Sequence, residues 1–407
     1  MLMSFSGLAI VAAVAFLVPL TLGFFPRVRV PSVVVEIAMG IVIGPFGLGW
    51  VTMDPPIRVL SIIGMAALLF LSGMEIEYER LRGRTLSLSL LGFAISLVLG
   101  IAIAFGLQAA SLIYTPLFVA LILAATAVGL VIPILKDAGE ISTDFGQIVV
   151  AGASIADFGT VILLALFFSR EAASATSQLV LLGAFGAIAV TIVFAAFRIG
   201  RAKPVTAVLF RLQATTAQIR VRGAMMLLIA LVAVAQRFGL EVILAAFIAG
   251  SMLTIIDRDA EATHPQFRQK LEGVGFGVFV PVFFVASGIQ YNLGALLASR
   301  AALIQVPLYL LALLVIRGLP ALLYRPIIGT RRSIAAGLLQ ATTLGFVVAG
   351  VQMGVELKLI DAATSAALVA SALLSVLIFP FAAAMVLKGA APLAAVAEPR
   401  CEDATAR

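Results

Sequence analysis

The sequence predicts an all-α polytopic membrane protein, with about 13 transmembrane helices arranged as two inverted repeats. Three observations carry this prediction: apolar blocks of membrane-spanning length, a one-sided distribution of Lys and Arg, and a segment that recurs in the second half of the chain.

The blocks set the class. Of 407 residues, 62% are hydrophobic and only 12% are charged. A soluble domain is about half apolar and about a quarter charged, so these charges are too few to coat a soluble surface. A helix of about 20 apolar residues crosses the hydrocarbon of a lipid bilayer. Spans are expected at 5–24, 31–50, 57–74, 86–107, 113–136, 146–168, 176–197, 206–236, 240–255, 273–289, 299–320, 334–355 and 363–387. The first lacks a basic flank and reads as a span, not a cleavable leader. The eighth opens on Arg211, Arg220 and Arg222, and residues 200–222 are expected to form a basic interfacial helix. The single Cys, Cys401, lies in a polar tail and the single His, His264, in a charged loop. An intrachain disulfide and a multi-His metal site are therefore not expected, and no cofactor is called for.

The basic residues orient the spans. With the N-terminus outside, 21 of the 27 Lys and Arg fall on inward segments and five on outward ones, with Arg317 inside a span. Basic residues concentrate on the cytoplasmic side of membrane proteins. The split therefore predicts N-terminus out, C-terminus in, and an odd number of spans. It also accounts for the net charge of +7 without a nucleic-acid partner.

The repeat points to a site. Residues 123–132 (LAATAVGLVI) match residues 339–348 (LQATTLGFVV) at five of ten positions. Ser72-Gly73 and Ser287-Gly288 pair at nearly the same offset. The paired spans run in opposite directions, so the halves are inverted: 5–168 and 206–387, joined by a linker helix at 176–197. Residues 1–387 then form one transmembrane domain and 388–407 a cytoplasmic tail. Interrupted helices at matching positions of inverted repeats mark transporter binding sites. Here the interruptions are Thr126, Ala127, Gly129 and Pro133 in the fifth span, and Thr342, Thr343 and Gly345 in the twelfth. Broken helices would expose carbonyls and helix ends to a small ion. The plainer alternative is that Thr and Gly let helices pack closely.

Buried charge singles out individual residues, because it is costly in a bilayer and functional by default. Asp157 is the only acid near the middle of a span, the sixth. A carboxyl there can hold either a proton or a metal cation, the minimum machinery of exchange. Arg317 needs a partner or a wet cavity, unless it snorkels to the inner surface. Glu36, inside the second span, is left with three roles: lining a cavity, anchoring a neighbouring helix, or pairing with Arg317. Glu75 and Glu241 stand at span ends and read as interfacial.

At these residues the chain resembles the monovalent cation:proton antiporter-2 family of bacterial sodium/proton and potassium/proton exchangers. The matching stretches include VPSVVVEIAMGIVIGPFGLG, LLFLSGMEIEYERLRG, AATAVGLVIPILKDAGEISTDFGQIVVAGASIADFGTVILL, LEVILAAFIAGSML and VFFVASGIQYNLGAL. The resemblance implies the sodium/proton antiporter fold, with two crossed broken helices beside the ion site. It also implies a homodimer in a bacterial inner membrane. The family's membrane domain alone is expected here, without the nucleotide-binding domain of potassium-efflux relatives. Asp157 matches the second residue of the family's paired motif, but Ala156 stands where relatives carry Asp, Asn or Gln. Arg317 matches a basic position that is Lys in electrogenic relatives. Many relatives carry Gly-Glu in the twelfth span, where this chain has Thr-Thr-Leu-Gly.

These departures leave Asp157 as the one titrating site. They predict one-for-one exchange of a monovalent cation, sodium ahead of potassium, for a proton. Thr126, Ser154 and backbone carbonyls would complete the cation shell, with Arg317 and Glu36 compensating charge. Three other readings were weighed. A sodium-coupled organic-anion symporter would need more polar groups than the spans offer. A non-transporting sensor module would fit the missing motif partner. An intramembrane protease would need a second buried Asp or an H-E-x-x-H helix, and the chain has neither.

Overall fold

The computed structural model describes residues 5–24, 30–75, 83–168, 217–237, 240–256 and 266–387, with scattered positions between 180 and 215. Every regular element among them is helical. The first half holds α1 (Ser6–Phe24), α2 (Ser32–Ile43), α3 (Pro55–Met74), α4 (Gly83–Ala109), α5 (Pro116–Ala124), α6 (Val128–Asp137) and α7 (Asp144–Phe167). The second holds α8 (Ile219–Arg237), α9 (Val242–Ile256), α10 (Gln266–Gln290), α11 (Leu293–Ala298), α12 (Arg300–Leu313), α13 (Arg325–Gln340), α14 (Gly345–Glu356) and α15 (Ala362–Leu387). Among the described residues, eight helical runs are long and apolar enough to cross a bilayer. Twelve of the expected spans correspond to described helices, two of them as broken pairs. The linker helix expected at 176–197 and the interfacial helix expected at 200–222 lie largely outside the described residues, as does His264.

Several boundaries differ from expectation. The second span was read to residue 50, but α2 ends at Ile43 and Gly44 is extended (φ −73°, ψ −179°). The cause is Pro45, whose ring bars the preceding residue from helical geometry. The eighth span was read from residue 206, but α8 begins at Ile219.

Proline also shapes two helices from within. A proline lacks the N–H of the helical ladder and its ring collides with the carbonyl four residues back. In α10 a π-turn at Gly275–Phe279 comes just before Pro281. After α12 a π-turn at Leu314–Gly318 comes just before Pro320, and a 3₁₀ turn, Leu319–Tyr324, leads into α13. Arg317 sits on that second π-turn. Such bulges recur at functional sites, and this one turns Arg317 towards the centre of the bundle.

Packing relates the two halves of the chain by a twofold exchange of contacts. Helix α2 packs tightly on α10, and α3 on α9. A Cβ on Gly40 would stand 2.2 Å from the Val285 carbonyl, and one on Gly288 would stand 2.1 Å from that of Ile37. The partner contact repeats this: Gly250 against the Phe70 carbonyl at 1.9 Å, and Gly73 against that of Phe247 at 2.2 Å. Gly73 and Gly288 are 215 residues apart, as are Phe70 and Val285; Gly40 and Gly250 are 210 apart, as are Ile37 and Phe247. Each contact therefore pairs one helix from each half, and the two contacts exchange under the repeat operation.

The core is centred on α7, capped at its start by the Thr143 hydroxyl, which accepts the Gly146 N–H at 3.2 Å. Its middle reads Ala151-Gly152-Ala153-Ser154-Ile155-Ala156-Asp157, all buried. This run of small residues lets the broken helices approach its backbone closely.

Candidate functional site

The first break separates α5 from α6 at residues 125–127. Local propensity does not explain it, since Ala125 and Ala127 flank Thr126 and alanine is the best helix former. Tertiary partners hold it open instead. Asp157 accepts the Thr126 N–H through Oδ1 (3.2 Å) and the Val128 N–H through Oδ2 (3.4 Å). The Ala127 N–H goes to the Thr342 carbonyl at 3.2 Å. A carboxylate thus sits at the N-terminus of α6, where free N–H groups and the helix dipole favour negative charge.

The second break separates α13 from α14 at residues 341–344. It crosses the first there: the Thr126 hydroxyl donates to the Gln340 carbonyl at 2.8 Å. In the second half Ser375 on α15 does the holding. Its hydroxyl accepts the Thr343 N–H (3.2 Å) and donates to the Thr343 carbonyl (3.0 Å). A neutral hydroxyl therefore serves one break and a carboxylate the other. The Thr343 hydroxyl itself is buried with no hydrogen-bond partner. The Thr342 hydroxyl donates to the Leu338 carbonyl at 3.1 Å.

Arg317 is 2% exposed and does not snorkel. Its Nε donates to the Thr126 hydroxyl (2.8 Å), one terminal nitrogen to the Ser96 hydroxyl (3.1 Å) and the other to the Gly152 carbonyl (3.2 Å). Thr126 is thus the link between the cation and the carboxylate: its hydroxyl holds Arg317 while its N–H holds Asp157. Gly152 allows the close approach, since a Cβ there would lie 2.3 Å from Gln340 Nε2 and 2.9 Å from the Tyr324 hydroxyl, and those side chains would have to shift.

A narrow cavity reaches Asp157. It is lined by the last turns of α3 (Leu68, Ser72, Glu75), the first break (Thr126, Ala127, Gly129), the start of α14 (Gly345, Phe346) and apolar side chains including Phe247 and Phe276. Its wall also includes Val33 at the start of α2. Of these, Val33 and Glu75 stand at helix ends close in sequence to the basic segments around Arg29 and Arg80.

The expected residues are thus largely together: Asp157, Thr126, Ala127, Gly129 and Gly345 share the cavity, with Thr342 at the crossing. Ser154 is buried on α7 but is not among the lining residues. Glu36 is 4% exposed on α2, while the guanidinium of Arg317 is satisfied by Thr126, Ser96 and Gly152. Sequence reasoning missed Ser96, Gly152 and Ser375, and it took Glu75 for an interfacial residue.

A family model described as "Sodium/hydrogen exchanger, transmembrane" matches residues 12–389. The chain belongs to that family. It is a family of membrane transporters, not of enzymes. Among curated relatives, the putative Na(+)/H(+) antiporter YjbQ of Bacillus subtilis is 31% identical over 392 residues, covering 93% of this chain and 62% of YjbQ. This chain therefore spans less than two thirds of that relative. The probable Na(+)/H(+) antiporter 3 of Methanocaldococcus jannaschii is 27% identical, covering 91% of this chain and 93% of that protein. The solved structure of the sodium proton antiporter MjNhaP1 from Methanocaldococcus jannaschii at pH 8 superposes with a TM-score of 0.69 at 17% identity, covering 94% of this chain and 98% of that one. That likeness establishes the fold.

Proposed function

We propose that this family member exchanges a monovalent cation, sodium ahead of potassium, for a proton by alternating access, one for one through Asp157. One observation carries the reading: a buried carboxylate, held at the crossing of two broken helices, ends a cavity that leads from the helix ends next to the basic segments. A carboxylate there holds a cation or a proton, and cannot hold both at once. Arg317 is charged at any working pH and is tied to three neutral acceptors, so it is a fixed charge and not a proton carrier. Ala156 carries none. One titrating group gives an electroneutral cycle. In this reading the Thr126 hydroxyl, Ser154 and freed carbonyls of the breaks complete the cation's shell.

The distribution of basic residues supports an orientation with the N-terminus outside, the tail inside and the cavity mouth on the cytoplasmic side. In this reading the opposite side is the closed one. Gln352 on α14 donates to the Ser287 hydroxyl at 3.0 Å, while Ser72, the repeat counterpart of Ser287, faces the cavity. Such a difference between equivalent positions is what rocking between inverted repeats requires. The proposal includes a homodimer in a bacterial inner membrane, on the strength of the family resemblance.

The test is proton movement in everted membrane vesicles. An acid-inside gradient is imposed, and sodium, potassium and lithium are added in turn. Cation-driven proton release is expected, and Asp157→Asn should abolish it. Release that survives in the variant would remove Asp157 from the mechanism. A reversal potential showing net charge movement would reject one-for-one exchange.

A further inference from the structure

We infer that Glu75 is a second cation-holding carboxylate, placed at the mouth of the cavity to receive the monovalent cation before it reaches Asp157. The inference rests on the exchange reading above and deepens it.

Asp157 and Glu75 are the two charged residues among those lining the cavity. The rest of the lining is mostly apolar, so an entering cation meets few other full charges. Both carboxylates border the first turn of α6. Asp157 accepts the Val128 N–H at 3.4 Å, and a Cβ on the next residue, Gly129, would stand 3.4 Å from both carboxylate oxygens of Glu75. Neighbouring Cα atoms are about 3.8 Å apart, so the two carboxylates lie on the order of 10 Å from one another. Glu75 follows the last residue of α3, and Asp157 is at mid-membrane on α7. Carboxylate oxygens are natural ligands for hard cations.

The repeat supplies an independent observation. Ser72, Gly73 and Glu75 correspond to Ser287, Gly288 and Gln290. Gln290 is exposed at the far end of α10. One mouth of the pathway therefore carries a carboxylate and its counterpart a neutral amide. Affinity for an entering cation should differ between the two sides of the membrane.

The experiment measures half-saturating cation concentration from each side, in everted and right-side-out vesicles, with whichever of sodium, potassium or lithium drives the native protein. A unit charge acting across about 10 Å of intermediate dielectric changes occupancy roughly three- to tenfold. Glu75→Gln should raise half-saturation by roughly that factor at the cytoplasmic face, with little change at the opposite face and a maximal rate retained within about twofold. Glu75→Asp should restore it. Should Glu75→Gln fail to accumulate, Gln290→Glu gives the reciprocal test and should lower half-saturation at the opposite face. Equal shifts at both faces, a loss of maximal rate with unchanged half-saturation, or no effect of Gln290→Glu would overturn the inference while leaving exchange intact. A native protein that moves no protons with any cation would overturn the exchange reading, and this inference with it.

Discussion

Removing the Thr126 hydroxyl is the sharpest test of how the crossing is held. It donates to the Gln340 carbonyl and accepts from Arg317 Nε, both at 2.8 Å, and Thr126 is wholly buried. Thr126→Val keeps the shape and deletes both bonds, leaving a buried carbonyl and one charged N–H without partners. Each orphaned group costs about 1–3 kcal/mol in a soluble core, so the two together give an upper figure of about 6 kcal/mol. In a bilayer the unfolded state also finds partners, and measured interhelical hydrogen bonds are worth about 0.6 kcal/mol on average, with a maximum near 1.7. The guanidinium cannot re-solvate at this depth, so about 1.5–3 kcal/mol is expected. Thr126→Ser, which keeps the hydroxyl, should stay within about 1 kcal/mol of the native protein. Equilibrium unfolding in mixed micelles measures both. A Thr126→Val protein within about 0.5 kcal/mol of native would refute the view that this hydroxyl joins Arg317 to the crossing.

Further outcomes follow from other contacts. Gly152→Ala places a methyl group 2.3 Å from Gln340 Nε2; overpacking of this kind costs about 1–3 kcal/mol, read as a lowered unfolding midpoint together with slower exchange, and an unchanged protein would show that Gln340 moves aside freely. Gln352→Ala removes the 3.0 Å bond to Ser287. One neutral hydrogen bond is worth about 1 kcal/mol, so amide hydrogen exchange over residues 283–290 should quicken about fivefold; equal rates would mean the bond does not hold that side closed.

Much of this architecture was legible in the chain, and the parts that were not share a cause. Hydropathy finds spans because a bilayer demands only length and composition, and twelve of those expected are helices here. It misplaced the end of the second span because Gly44 and Pro45 are small, apolar-compatible residues that break a helix without lowering hydropathy. The two breaks were found through the repeat, since Ala-Thr-Ala carries no local breaking signal. Their physical origin, the capture of backbone N–H groups by Asp157 and Ser375, lies in contacts 29 to 32 residues away in sequence. Arg317 was recognisable as a buried cation, but Ser96 and Gly152, 221 and 165 residues distant, were not recognisable as its partners. Glu75 read as interfacial because its neighbours in sequence are polar; its neighbours in space include Gly129 and the cavity. Prolines 281 and 320, each just after a π-turn, were a signal available in the sequence and not used.

The glycine contacts between α2 and α10, and between α3 and α9, bear on how the protein is made. Each joins a helix synthesised early to one synthesised some 200 residues later. At about 5–20 residues per second, α2 and α3 wait in the bilayer for about 10–40 seconds before their partners emerge. Through that interval the close backbone contacts at Gly40 and Gly73 lack the partners that they have in the finished protein. The first half is therefore a dependent intermediate, in need of protection during synthesis, and completion of the second half is what locks both halves at once.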